Sequence, residues 1–486
     1  MSRLLLARDF NDKPIWAPKS GGSHIVYAAA GGGKTTCSAL PALLSMLSDT
    51  DRALIYNDVK SGEISAQVEP VCVKHKRLFG VIDDARVLGE DYPHRLNLNP
   101  FGAIAHAHWM GSEDLAFIID GAMKALIDEP PNQRKEFYWR QGPRDLLEIG
   151  VRAMLVSATG ICTPGALYIL LSDPELFDGA LALCLDEGDE ATRALAHQVI
   201  DTRDTDQNFA QHMQAALQAI KIYQPGSPLH SAGQDAEHTH LDLIEDGWVT
   251  GIVNPVQHAP RMGVHFALHT LGFMEAQLSR GGLKTLYVFD ELANAPLRDA
   301  VKRITVMRAY GATGLYITQS RQDLINTYGE KETAVLEENA VVKQYLKFSS
   351  FEEAERVSHA MGEQVSVQRG LGTQSGRLDL SGNYSTGKER IFTAEELMRM
   401  PDDEQMLHVA GLGWIHCRKI RQNQIMPYAA ELGDNPLEGP AMVPDPKVTL
   451  ATPGPATGGG KTHQSGEGQT SRKHSIWARL RRWWQS

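Results

Sequence analysis

The sequence predicts an α/β fold: a domain with a central, mostly parallel sheet, an inserted all-α domain and a flexible C-terminal tail. Three observations predict it. A β-rich run, His24 to Tyr27, feeds a glycine loop, Gly31-Gly32-Gly33-Lys34-Thr35-Thr36, and then a helical run. That strand, loop and helix order is what a phosphate-binding P-loop requires. An apolar strand, Leu286-Tyr287-Val288-Phe289, ends in Asp290-Glu291. Between the two, over 112–235, apolar residues recur at helical spacing with no strand signal.

The loop explains its own composition. Glycines let backbone N–H groups of residues Ala30 to Thr36 converge on a polyphosphate without Cβ interference. The following helix adds the positive end of its dipole. Lys34 is expected to reach the β- and γ-phosphates of ATP, and the Thr35 hydroxyl to ligate Mg²⁺. Ala28 stands where the strict G-x-x-x-x-G-K-[ST] pattern has its first glycine, which is tolerable only if that turn needs no positive φ. Leu40, Leu43, Leu44 and Leu47 form the apolar stripe of the helix, and Pro41 inside it predicts a kink.

Composition narrows the class. With 486 residues the chain has room for two to four domains, and 42% hydrophobic with 22% charged residues is ordinary for a globular protein. A net charge of -11 argues against wholesale coating of DNA or anionic lipid, so any nucleic-acid contact is local. The five cysteines are far apart with no C-x-x-C, which predicts reduced thiols in a cytoplasmic protein. The N-terminal apolar run is too short for a signal peptide or anchor. Ala153 to Ser172 is uncharged and about long enough to span a bilayer, but Gly160 and Thr163-Pro164-Gly165 predict two buried helices with a turn between them.

After the P-loop helix comes a second buried strand, Ala53 to Tyr56, ending in Asn57-Asp58-Val59-Lys60-Ser61-Gly62-Glu63. Charges at the end of a buried strand are where ligands collect in an open α/β sheet, though solvated turn residues read the same way. A further strand, Leu78 to Val81, leads towards the helical region, and the bare pair His106 and His108 reads as surface or core filling. Inside the helical region a basic and aromatic patch runs through Arg134, Lys135, Phe137, Tyr138, Trp139, Arg140 and Arg144. It reads either as a contact surface or as a helix packing its aromatics inward with its charges solvated. Glu237-His238-Thr239-His240-Leu241-Asp242 has metal-ligating residue types without an open coordination frame.

Strand signals return at Trp248 to Asn254, before the strand that ends in Asp290-Glu291. Such a strand is a Walker B pattern: Asp290 is expected to hold Mg²⁺ through its outer coordination sphere, and Glu291 to polarise the attacking water. The next strand, Gly314 to Thr318, ends in Gln319, an amide placed to sense the γ-phosphate or orient that water. Spacing alone leaves Arg308 without a role, an ordinary helix-terminal arginine among the readings.

These residues together resemble the TraG/TraD-like coupling proteins of type IV secretion systems, RecA-like hexameric ATPases related to FtsK and HerA. The likeness lies in the Ala-rich loop ending GGGKT, in Pro41-Ala42-Leu43-Leu44, and in Asp58, Lys60, Gly62 and Glu63, where an extra Ser61 interrupts the family's D-P-K-G-E. It is densest from Asp290-Glu291-Leu292-Ala293-Asn294 through Arg308-Ala309-Tyr310-Gly311, Gln319-Ser320, Tyr328-Gly329, Asn339, Ala354-Glu355, Ser358 and Gly362. Phe392 to Leu397 and a closing strand at Met406 to Ala410 extend it, so that it covers residues 20–430.

The resemblance implies a RecA-like P-loop NTPase domain over 1–111 and 236–432, with 112–235 as the family's all-α domain that contacts substrate. It implies a homo-oligomer, a hexameric ring when active, with Arg308 as an arginine finger reaching a neighbour's ATP. The partners implied are secretion-channel components and a relaxase with its single-stranded DNA, or effector proteins. The family usually begins with transmembrane helices, and this sequence shows none. Residues 433–475, rich in Pro, Gly, Ser and Thr, are expected to be a flexible linker. In 476–486, Ile476, Trp477, Leu480, Trp483 and Trp484 share one helical face with arginines opposite, which suits an anionic bilayer interface or a partner's groove. The expected location is therefore cytoplasmic and peripheral to the inner membrane. Competing readings are an FtsK/HerA-like DNA translocase not tied to secretion and an ATP-dependent assembly adaptor. A small-molecule kinase fits least, since no lid or acceptor pocket is evident.

Overall fold

The computed structural model describes residues 3–19, 21–128, 137–157, 160–292, 300–371 and 382–453. Its strands are β1 (Leu5–Arg8), β2 (Pro14–Trp16), β3 (Ser23–Ala28), β4 (Arg52–Asp58), β5 (Phe79–Ile82), β6 (Val249–Val253), β7 (Lys284–Phe289) and β8 (Ala312–Thr318). They continue with β9 (Ala340–Lys347), β10 (Glu363–Leu371), β11 (Gly382–Arg390), β12 (Glu404–Val409), β13 (Gly413–Arg418), β14 (Ile425–Met426) and β15 (Val448–Thr449).

Eleven of them form one sheet in the order β2-β1-β13-β12-β9-β3-β8-β7-β4-β6-β5. From β9 to β5 every pairing is parallel, and from β9 to β2 every pairing is antiparallel. The parallel strands are buried over most of their length, as strands covered by helices on both faces must be. Their side chains alternate between two cores: Ile25, Tyr27, Ile55 and Tyr287 face one, and Val26, Ala28, Leu54, Tyr56 and Val288 the other. β8 lies between β3 and β7, so the P-loop strand and the carboxylate strand are not neighbours. All of these strands run the same way, and their C-terminal tips therefore share one rim.

Behind β3 the expected kink takes a definite form. Thr35–Ala39 is a π-helical turn, and the α-helix proper, α1 (Leu40–Met46), starts afresh with Pro41 in its first turn. Proline has no N–H to donate backwards, so the ladder widens before it. After β4 follows α2 (Glu63–Lys74).

Between β5 and β6 the described chain is helical: α3 (Gly102–Trp109), α4 (Leu115–Leu126), α5 (Phe137–Val156), α6 (Pro164–Ser172), α7 (Pro174–Glu187), α8 (Glu190–Thr205), α9 (Phe209–Ala219) and α10 (His240–Glu245). The uncharged stretch at 153–172 is the end of α5 and all of α6, and no described helix is long and apolar enough to cross a membrane. Ile119, Leu147, Met154, Leu167 and Phe177 join the same core as Tyr27 and Tyr287, so the helices pack directly on that face of the sheet. In the basic and aromatic patch the burial runs opposite to the inward-aromatic reading. Phe137, Tyr138 and Trp139 are exposed, whereas Arg144 is buried and donates to the Ile127 carbonyl. Arg134 and Lys135 lie outside the described residues.

One expectation is corrected. The linker expected from residue 433 does not begin there. Gly433 N donates to the Gln67 carbonyl (3.1 Å), Asn423 Nδ2 to the Val443 carbonyl (2.8 Å), and β15 pairs in parallel with β14. Composition suggested a loose chain, but Asn435 and Val448 are buried, and each is held by specific bonds. The tail 476–486 lies outside the described residues.

Candidate nucleotide site

Ala28 is the last residue of β3 and has no positive φ, which explains why a glycine is not needed there. The left-handed turns fall on Gly31 (φ 71°) and Gly33 (φ 86°). A Cβ on Gly33 would also sit 2.9 Å from Cys37 Sγ, so this position is closed to other residues on two counts. The loop is held from outside by Ala29 N, which donates to the Lys347 carbonyl (3.1 Å), and by Lys419 Nζ, which donates to the Gly32 carbonyl (3.3 Å). Ala30 and Thr36 lie on this same loop, Thr36 at the start of the π turn.

At the tip of β7, Glu291 adopts a left-handed backbone (φ 62°), costly for a residue with a Cβ and common where function demands a fixed side chain. Lys34 Nζ donates to Glu291 Oε1 at 2.5 Å, and Gln319 Nε2, from the tip of β8, donates to the same oxygen at 3.3 Å. The end of β4 completes the cluster. Lys60 Nζ lies 3.2 Å from Thr35 Oγ1, 3.5 Å from Glu63 Oε2 and 4.0 Å from Asp290 Oδ2. Thr35 Oγ1 donates to Glu63 Oε2 (3.4 Å), and Asn435 Nδ2 to Glu63 Oε1 (3.0 Å).

Burial and charge set the titration of these groups. Burial pushes the Asp290 carboxyl up to about 6; Lys60 and Lys34 oppose the shift, and Glu291 and Glu63 add to it. Burial likewise lifts Asp58 to about 6 against hydrogen bonds from the Ser65 N–H and hydroxyl. Burial pushes Glu291 the same way, but Lys34, by hydrogen bond and charge, and Gln319 overcome it and hold the carboxyl below its ordinary value. Burial lowers Lys60, yet Asp290, Glu63 and Glu291 prevail and raise it.

Lys34, Thr35, Asp290, Glu291 and Gln319 thus converge on one rim of the sheet. Arg308 does not join them. Its Nε lies 3.6 Å from where a Cβ on Gly22 would stand, at the entry to β3, the opposite end of the strand from the P-loop. The residue set chosen from motifs alone omits Lys60, Glu63, Lys419 and Asn435. The first two were visible as charges at a strand end, but only the sheet order turns them towards Thr35. Lys419 and Asn435 arrive from the far end of the chain with no local pattern to mark them.

The donor set suits Mg²⁺. Thr35, Glu63 and Asp290 offer hard oxygens, and the buried Asp290 Oδ1 has no hydrogen-bond partner. A cation brought in with phosphates would satisfy it.

Residues 284–402 match the family described as "TraM recognition site of TraD and TraG". Among curated proteins none matches the chain. Among solved structures, the bacterial conjugative coupling protein TrwBdeltaN70 in an unbound monoclinic form shares the fold at 14% identity and a TM-score of 0.64, over 90% of this chain and 92% of that one. The plasmid coupling protein TrwB in complex with ADP and Mg²⁺ aligns at 15% identity and a TM-score of 0.60, over 87% of each. VirB4 of Thermoanaerobacter pseudethanolicus aligns at 16% identity and a TM-score of 0.51, over 88% of this chain and 98% of that one. The fold is the RecA-like P-loop NTPase fold that the resemblance implies. By this matched segment and this fold, the resemblance to the TraG/TraD-like coupling proteins read in the sequence is borne out.

Proposed function

We propose that the chain is an ATP-hydrolysing coupling motor of a conjugation or type IV secretion system. The observation that carries this reading is the meeting of Lys34 and Thr35 with Asp290 and Glu291, parts of the chain 257 residues apart, in one buried polar cluster. The match of 284–402 to the TraM recognition site of TraD and TraG, and the fold shared with TrwB, support this class.

Backbone N–H groups of Ala30 to Thr36 bind the phosphates of ATP, with Lys34 on the β- and γ-phosphates. Thr35 and Asp290 would hold Mg²⁺, whose charge would offset that of the bound triphosphate. Glu291 accepts a proton from the attacking water at Oε1, and the Gln319 amide orients that water. While Lys34 holds Glu291, the base is masked. Incoming phosphates compete for Lys34 and release the carboxylate for this work. Arg308, remote from its own subunit's P-loop, stabilises the transition state across an interface in a homo-oligomer, a hexameric ring when active.

The substrate is a relaxase with its single-stranded DNA, or an effector protein, received by the all-α segment 112–235 and passed towards the secretion channel. The tail 476–486 supplies peripheral contact with the inner membrane.

Turnover measured against protein concentration, with and without single-stranded DNA, tests the reading. The rate per chain is expected to rise with concentration and with DNA, and to vanish in Lys34→Ala. A Lys34→Ala protein as active as wild type would overturn it.

A further inference from the structure

A second polar cluster lies on the same rim where β5 ends, with four strands between it and the P-loop strand. It is built from α11 (Ala259–Ser279), the helix that leads into β7. His265 and His269 stand one helical turn apart on α11, 2% and 0% exposed, and both face Asp84. His265 Nε2 lies 3.1 Å and His269 Nε2 3.9 Å from Asp84 Oδ2, and one ligand atom from each residue falls within 4.8 Å of the others. Despite this crowding, neither Asp84 Oδ2 nor His269 Nε2 makes a hydrogen bond. Asp84 Oδ2 therefore has His265 Nε2 close by, but His269 Nε2 faces the same oxygen across 3.9 Å with no hydrogen bond, a costly arrangement unless something else occupies the gap.

The other ring nitrogens are spoken for. His265 Nδ1 is 3.0 Å from the Tyr223 hydroxyl, and His269 Nδ1 is 3.1 Å from His240 Nε2. In the tautomer whose Nδ1–H donates to those partners, each Nε2 presents its lone pair to the space beside Asp84. Metal-bound histidines are oriented in this way, the far nitrogen fixed by a hydrogen bond.

We infer that Asp84, His265 and His269 form a site for one Zn²⁺ ion, with water in the fourth position and Tyr223 and His240 as positioning residues. Tetrahedral zinc with Zn–N near 2.0–2.1 Å sets its ligand atoms ~3.3 Å apart. The 3.1 Å separation fits, and the 3.9 Å one needs only a small closure. Two imidazoles and one carboxylate favour a first-row transition ion over the Mg²⁺ of the nucleotide site. Such an ion ties the end of the edge strand β5 to the helix that feeds Asp290-Glu291. The run Glu237 to Asp242, whose residue types suggest a chelator, is not the ligand set: Asp242 is used in capping α10 from Thr239, and His240 acts through His269.

Untagged full-length protein loaded with Zn²⁺ and desalted is compared by elemental analysis with the His265→Gln/His269→Gln double variant. About one Zn²⁺ per wild-type chain is expected, with at least about tenfold less on the variant. Metal-free wild type titrated with Co²⁺ is expected to show the visible absorption of a tetrahedral ion. Tyr223→Phe is expected to weaken Zn²⁺ binding by roughly ten- to a hundredfold, measured on folded protein at a temperature well below the variant's own metal-free melting temperature. Equal zinc retention by wild type and a folded double variant overturns the assignment. If the double variant does not fold, the wild-type Co²⁺ spectrum decides alone, and absence of the tetrahedral bands overturns the site.

Discussion

Lys34 and Glu291 form an ion pair at 2.5 Å, with the lysine almost fully buried and the carboxylate held in a left-handed backbone. The lysine proposed to bind phosphate and the carboxylate proposed to activate water therefore occupy each other.

If that pairing masks the base, removing the Glu291 charge should separate binding from chemistry. Glu291→Gln is expected to bind ATP at least as tightly as wild type, because Lys34 is released, while turnover falls by about 10²–10⁴. Fluorescent-nucleotide titration and steady-state hydrolysis check the two halves. A variant that loses affinity and keeps its rate contradicts the assignment.

The raised Asp290 carboxyl makes a prediction with a definite sign. Its ordinary value is 3.8 and its folded value about 6, so between these pH values the native state holds more protons than the unfolded chain. Its contribution to stability then falls as pH rises through that window. Asp290→Asn removes this slope. In nucleotide-free, Mg²⁺-free buffer the variant should gain on wild type between pH 4 and pH 7 by on the order of 2–3 kcal/mol. Denaturant midpoints at several pH values measure it, and parallel curves for the two proteins would refute it.

Arg308 is exposed and far from its own P-loop, so its role is testable by mixing. Arg308→Ala should lower turnover by about 10³–10⁵ without changing the melting temperature. Mixed in equal amounts with inactive Lys34→Ala, it should recover on the order of a quarter of wild-type activity, since random pairing reunites an intact lysine with a neighbour's intact arginine. Mixtures no more active than their parts would exclude action across an interface.

Deleting residues 472–486 is expected to move the protein from the membrane to the soluble fraction with ATPase activity retained. Unchanged fractionation would remove the membrane role of the tail.

Much of the fold was legible because its signals are local. The P-loop and the Asp290-Glu291 strand end are short patterns whose residue types follow from phosphate and metal chemistry, and the helical stretch from 112 declares itself by spacing. What brings Lys34 to Glu291 is different in kind. It depends on β8 lying between β3 and β7 so that three strand tips share a rim, and strand order leaves no mark on local composition. Lys60 and Glu63 were visible as charges without a direction. Lys419 and Asn435 act on the loop and on Glu63 across 387 and 372 residues, which no motif can announce. The cluster of Asp84, His265 and His269 was hidden for the same reason, with its carboxylate and imidazoles on separate elements.

The burial of Asn435 and Val448 has a practical edge for anyone trimming this protein for crystals or assays. A cut at residue 432, where the composition turns to proline and glycine, discards the amide that holds Glu63 beside Thr35 and strips β14 of its partner strand. Such a shortened protein would report weakened nucleotide handling that belongs to the scissors and not to the intact chain. A stop placed after Ala451, whose carbonyl accepts from the Tyr428 hydroxyl, keeps the clasp whole.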